Sequence, residues 1–169
     1  MNTGVVLETH YIKRLQNMGV PGVYIIDEDV GEIHFPENIS QRTRSEATQA
    51  VKSAFDSVRI GKTFTFEPIA DSVKKIIDEV VSNPNVVASL SDVRSFDGYT
   101  YAHSVNVCVL SVMLGLKHGL NETRVYELAI GAILHDIGKI MVPEEIVHKP
   151  GALTDDEMSL MKEHTTYGW

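Results

Sequence analysis

Residues 101–119, YAHSVNVCVLSVMLGLKHG, decide the fold class. Up to Leu116 only His103, Ser104, Asn106 and Ser111 interrupt a run of aliphatic and other apolar side chains, and no proline breaks it. A segment of this length and composition is expected to be a helix, Tyr101 to His118, buried on most sides. Gly119 follows where a helix-ending glycine belongs. Asn121 is a good N-cap for the next helix, which carries Val125, Leu128, Ala129, Ala132 and Ile133 and is expected to run to about Ile137, ending at Gly138. A loop with Pro143 and Lys149-Pro150-Gly151 leads to Thr154-Asp155-Asp156-Glu157, a capping-box pattern that opens a last helix continuing to Trp169.

The pattern upstream is weaker. Pro68 starts a helix with Val73, Ile76, Ile77, Val80 and Val81, ending near Asn83-Pro84, and a short helix is expected over Asn85 to Leu90. Ser45 to Val58 has few apolar positions, which fits a helix that is exposed or packed on a partner. Closer to the N-terminus, His10 to Met18 has helical spacing with Gly19 as a stop. Val23-Tyr24-Ile25-Ile26 and Gly31 to Phe35 read as short strands around Asp27-Glu28-Asp29. The expected fold is mainly α: a small α+β module with its connecting helix over 1–66, then the first helices of an all-helical bundle over 67–169.

Of the 169 residues 43% are hydrophobic, enough to build a packed core. The formal charge of −8 disfavours DNA or RNA as partners but leaves room for a small anionic substrate beside a local cation. Cys108 is the single cysteine, so no internal disulfide forms. No secretory leader and no membrane-spanning apolar run are evident, and a cytoplasmic location is expected.

The chemistry-bearing candidates are histidines. His135-Asp136 falls in the last turn of an apolar helix, where the dipole disfavours a carboxylate unless a cation compensates. Lys139 would serve, and on this dipeptide alone an ordinary surface Asp–Lys pair is the better reading. His103 shares a face with Val107, Leu110 and Leu114, and His164 with Leu160 and Met161. Each taken singly suits a hydrogen-bonded core histidine. Together they put one histidine on each of three successive strong helices, beside an aspartate, and imidazole with carboxylate suits iron, manganese or zinc. His10, His34, His118 and His148 lack this context. Cys108 reads as a small core residue, and Tyr99 and Tyr101 as packing near the start of the His103 helix.

The run from Asp97 to Val107, DGYTYAHSVNV, resembles the opening motif of the HD-GYP family. Leu134-His135-Asp136-Ile137-Gly138-Lys139-Ile140, with Val142-Pro143 after it, matches the family's HD signature. Lys149-Pro150-Gly151-Ala152-Leu153-Thr154 and His164-Thr165-Thr166-Tyr167-Gly168 match the next two blocks in order. The N-terminal segment is similar, more loosely, to a small domain that often precedes HD-GYP domains. The resemblance implies an HD-type helical bundle and hydrolysis of the bacterial signal cyclic di-GMP at a centre of divalent metals, iron or manganese. His103, His135, Asp136 and His164 would be ligands, Asp136 able to bridge two metals, and Lys139 would neutralise a substrate phosphate. Some members place a glutamate four residues before the first histidine. Here that position is Tyr99, which implies two metals rather than three. The GYP segment and the family's later ligands would lie beyond Trp169, so the 169 residues alone are expected to hold metal weakly, hydrolyse little and self-associate as a homo-oligomer. Two rivals remain at this level: a non-enzymatic signalling module that binds protein partners, and another HD-superfamily phosphohydrolase. The Lys139 and Lys149-Pro150-Gly151 blocks argue against the second.

Overall fold

The computed structural model describes residues 8–17, 38–83 and 100–169. The chain divides into two compact units, Met1–Phe35 and Pro36–Trp169. In the first, helix α1 (Thr9–Asn17) agrees with the helix expected over His10 to Met18. The strands expected over 23–26 and 31–35, and the short helix over 85–90, lie outside the described residues.

Every regular element among the second unit's described residues is a helix. Helices α2 (Gln41–Arg59) and α3 (Glu67–Ser82) pack on each other and on α4 (Thr100–Lys117), which in turn packs along α5 (Glu122–Leu134). A short 3-10 helix (Ile137–Met141) follows, then α6 (Glu144–Val147), α7 (Asp155–Lys162) and α8 (His164–Tyr167). The local signals act where expected. Gly119 takes φ +73°, a left-handed conformation that costs little without a Cβ. The Asn121 side chain accepts the Arg124 N–H, and Thr154 with Glu157 forms a complete capping box at the start of α7. Among the described residues no helix is long and apolar enough to cross a membrane.

The core joins Ala47, Val51, Ala54 and Phe55 of α2, Ile69, Val73 and Ile76 of α3, Val105, Cys108, Val109 and Val112 of α4, and Val125, Ala129 and Ile133 of α5. The helix over 45–58, expected to be exposed or packed on a partner, instead packs within its own unit on α3 and α4. A polar clasp ties α2 to α3. The Glu79 carboxylate of α3 accepts hydrogen bonds from the backbone N–H of Ser40 (2.5 Å), its hydroxyl (3.0 Å) and the Thr43 hydroxyl (2.5 Å), all at the N-terminus of α2. A carboxylate there also faces the positive end of the α2 dipole.

Two expected helix ends are corrected. Helix α5 stops at Leu134 rather than near Ile137, and the last helix breaks at Glu163 instead of continuing to Trp169. At both breaks a histidine ring bonds back to a carbonyl of the preceding turn. The His135 ring Nδ1 lies 2.7 Å from the Ala132 carbonyl, and the His164 Nδ1 lies 2.6 Å from the Met161 carbonyl. Those are the acceptors that the N–H groups of Asp136 and Thr165 would need to carry an α-helix on. Gly138 consequently lies inside the 3-10 helix, not at a helix end.

Candidate metal centre

Three elements bring the expected residues together: α4 supplies His103, the end of α5 supplies His135 and Asp136, and α8 supplies His164. The ligand atoms of His103, His135 and Asp136 all lie within 4.8 Å of one another, the one such cluster among the described residues. The rings of His103 and His135 meet edge to face with centroids 5.4 Å apart. His164 joins from the other side, its Nε2 3.8 Å from Asp136 Oδ1, while His135 Nε2 stands 3.3 Å from Asp136 Oδ2. Each oxygen of one carboxylate thus faces one imidazole.

Hydrogen bonding fixes which ring atoms point inward. A backbone carbonyl can only accept, so Nδ1 of both His135 and His164 must carry the proton. In the neutral ring Nε2 then holds a lone pair, aimed at a carboxylate oxygen that also has only lone pairs to offer. Such a meeting of acceptors is favourable only with positive charge between or beside them. Lys139 supplies part of it, its Nζ 2.7 Å from Asp136 Oδ2. Protons on the imidazoles, or a cation, must supply the rest. Two ligands bound to one ion at about 2.1 Å stand roughly 3.0–3.4 Å apart at tetrahedral or octahedral angles. The 3.3 Å separation falls in that range and 3.8 Å is slightly open. The donor set therefore fits a divalent cation.

The electrostatics agree. Burial alone would raise the Asp136 carboxyl, but hydrogen bonds from His135 and Lys139 outweigh it and hold the group ionised far into acid. The Asp136 hydrogen bond raises His135, whereas burial lowers His103. Asp136 is only 2% exposed. The Asp–Lys pair suggested by the sequence exists, but it is not a surface pair. The two flanking histidine side chains remain partly open, at 34% for His135 and 19% for His164.

The expected ligand face of α4 is corrected in one respect. Leu114, taken to share a buried face with His103, is 59% exposed, and the buried stripe runs through Ala102, Val105, Cys108, Val109 and Val112. Tyr101 does pack near the start of α4, edge to face on Phe55 (5.3 Å). Tyr99 lies outside the described residues. Downstream, Lys149 donates to Glu157 Oε2 (2.5 Å), the oxygen that also accepts the Thr154 N–H. This ties the Lys149-Pro150-Gly151 loop to the start of α7. Sequence reasoning gave Gly138 no role of its own beyond a helix stop and a place in the HD signature, two residues after Asp136 and one before Lys139. A cleft of about 230 Å³ opens beside Lys139, with Arg59, Tyr101 and His148 also on its walls.

A family model described as HD domain matches residues 69–169. The chain is 40% identical over 124 residues to a cyclic di-GMP phosphodiesterase of Pseudomonas aeruginosa, an alignment covering 73% of this chain and 30% of that protein. It is 40% identical over 84 residues to a cyclic di-GMP phosphodiesterase of Thermotoga maritima, covering 50% and 22% respectively. A 3'3'-cGAMP-specific phosphodiesterase of Vibrio cholerae is 36% identical over 90 residues, covering 53% and 20%. The chain thus spans less than a third of the length of these curated relatives. No solved structure matches it.

Proposed function

Because this chain belongs to the HD domain family, and to its HD-GYP type, we propose that it carries the metal-binding part of a phosphodiesterase that hydrolyses cyclic di-GMP. The observation that supports this most is the convergence of His103, His135 and Asp136 within 4.8 Å, with His164 and Lys139 on the same carboxylate. His103, His135, Asp136 and His164 would hold divalent metal. Asp136, with one oxygen toward each of two imidazoles, is suited to bridge two ions. Imidazole with carboxylate suits iron or manganese. When bound, the metals supply a Lewis acid for the phosphoryl oxygen and lower the pKa of water at neutral pH.

The chain's own residues do the rest. The Ala132 and Met161 carbonyls hold His135 and His164 in the tautomer that turns Nε2 inward, as outer hydrogen bonds do for metal-bound histidines in general. Lys139 neutralises Asp136 before metal enters. With divalent metal held at Asp136, the Lys139 ammonium would be placed to meet a phosphate oxygen as a compact charge. Lys139 opens onto the adjoining cleft, whose wall also carries Arg59 paired with Glu144 (3.8 Å). A hybrid cyclic dinucleotide is the second substrate to consider, given the likeness to the 3'3'-cGAMP-specific enzyme. The activity belongs in the cytoplasm, where such nucleotides and a free thiol at Cys108 both persist. Leu114 and Leu128, exposed on the neighbouring helices α4 and α5, suit a homo-oligomer. A monodisperse monomer in sedimentation would refute that part.

The test is turnover of cyclic di-GMP and of 3'3'-cGAMP by protein loaded anaerobically with iron or manganese, beside Lys139→Ala. The expected result is hydrolysis by the native protein and a large loss of turnover, with metal retained, in the variant. Full metal loading with neither nucleotide hydrolysed would overturn the proposal.

A further inference from the structure

We propose that Gly138 is a positioning residue, whose missing side chain lets the backbone of α8 dock on the 3-10 helix and so places His164 at Asp136. The inference rests on the reading of His164 as a metal ligand and adds what puts it there. A Cβ built at Gly138 would stand 1.9 Å from the His164 carbonyl oxygen, 2.9 Å from the His164 carbonyl carbon and 2.7 Å from the Gly168 nitrogen. All three are backbone atoms, so no side-chain rotation relieves the clash. Other described glycines differ: a Cβ at Gly115 would meet only side chains, those of Leu128, Leu120 and Val125. Gly131, on α5, would meet nothing within 4 Å, and Gly61, Gly119 and Gly151 are explained by positive φ.

Two anchors then fix the His164 ring. The hydrogen bond from Nδ1 to the Met161 carbonyl (2.6 Å) locks the ring to the end of α7. The Gly138 contact locks the His164 backbone to the 3-10 helix that follows Asp136 and carries Lys139. Asp136, Gly138 and Lys139 are thus one short rigid piece with three tasks: ligand, dock and phosphate contact. The dock is tight on both faces, since a Cβ at Gly168 would lie 3.2 Å from the His164 oxygen and 3.4 Å from the Gly138 nitrogen. Even a methyl group at 138 must push the α8 backbone away until the 1.9 Å contact opens to at least 3.0 Å. A displacement of about 1 Å is enough to take a ligand out of productive geometry.

The experiment is a double-mutant cycle in Mn²⁺ affinity, read from free Mn²⁺ by electron paramagnetic resonance, on wild type, Gly138→Ala, His164→Ala and the double variant. Gly131→Ala serves as the control and is expected to bind as wild type does. The expected result is a loss of about 10–100-fold in Gly138→Ala, the range for residues that orient ligands, and no further loss when the change is added to His164→Ala. A general weakening of the fold would not cancel in this way. Equal losses in both backgrounds would overturn the proposal, as would unchanged affinity in Gly138→Ala when His164→Ala binds weakly. If His164→Ala itself binds like wild type, the ligand assignment of His164 falls and this inference with it. Should Gly138→Ala not fold, Gly168→Ala, a milder crowding of the same dock, takes its place in the same cycle with a smaller loss expected.

Discussion

Replacing Asp136 by asparagine should separate what the carboxylate does for the fold from what it does for metal. The amide has the same volume and keeps one oxygen to accept the Lys139 hydrogen bond, now 2.7 Å. It loses the charge that pairs with Lys139 and with the two imidazoles. A charge-assisted hydrogen bond contributes about 1.5–3 kcal/mol. Burying a carboxylate that is 2% exposed costs a comparable amount. These oppose each other, so the metal-free variant should unfold within about 1–2 kcal/mol of the native protein. Metal changes the comparison. Mn²⁺ at 100 times its dissociation constant stabilises a folded state that alone binds it by about 2.7 kcal/mol. For a chain of this size that is a rise in Tm of roughly 5–10 °C. Asp136→Asn should show almost none of this rise. The assay is urea and thermal unfolding by circular dichroism, with and without Mn²⁺, on both proteins. If the variant keeps the full Mn²⁺-dependent rise, Asp136 is not a ligand. If it loses more than about 3 kcal/mol without metal, the residue is chiefly a structural ion pair and the reasoning fails.

Other outcomes follow from the same contacts. The Asp136 hydrogen bond raises the pKa of His135, and a protonated imidazole cannot bind metal. Mn²⁺ affinity should therefore fall on acidification starting above the ordinary histidine value, and an affinity that is flat from pH 8 to 6 would refute this. Burial works against ionisation of Glu79, but the hydrogen bonds from Thr43 and Ser40 outweigh it and hold its carboxyl low. Its contribution is therefore present above the unfolded pKa and lost as pH falls through the folded value. Glu79→Gln should cost about 1–2 kcal/mol at pH 7, and urea unfolding should show the gap to wild type closing below about pH 4. Cys108 is wholly buried and its thiol is pushed up to about 12. Iodoacetamide at pH 8 should leave it unmodified in the native protein and alkylate it in urea, so rapid native labelling would contradict the packing of α4.

What the sequence made legible was whatever a few neighbouring residues decide among themselves. Asn121, Thr154 with Glu157, Pro68 and Gly119 each act on the backbone within four residues, and each element boundary they mark stands in the structure. The four metal-ligand candidates were legible because three helices each carried a histidine in ordered blocks. The ends of α5 and α7 were not, because no capping signal marks Leu134 or Lys162, near which the His135 and His164 rings bond back to the Ala132 and Met161 carbonyls. The exposure of Leu114 was hidden for a different reason. Apolar residues surround α4, and which of them meets a neighbour is settled by where α2, α3 and α5 lie. Gly138 could be seen but not interpreted, since a glycine near a helix end satisfies a local rule and a backbone dock equally well.

The breaks in the helices and the site are one feature. An α-helix that ran through His135 would give the Ala132 carbonyl to the Asp136 N–H and leave both ring nitrogens of the histidine without a fixed role. Ending the helix one turn early hands that carbonyl to Nδ1, sets the tautomer, and turns Nε2 toward the carboxylate. The same exchange at Met161 does so for His164. The backbone then carries Asp136 into a 3-10 turn, where the Lys139 ammonium returns to it within three residues. Together these contacts turn two imidazole Nε2 atoms and the Lys139 ammonium toward one buried carboxylate. Lys139 offsets only part of that negative potential. Protons on the imidazoles, in line with the raised pKa of His135, or a cation supply the remainder, and the Nε2 lone pairs become open to metal once those protons leave.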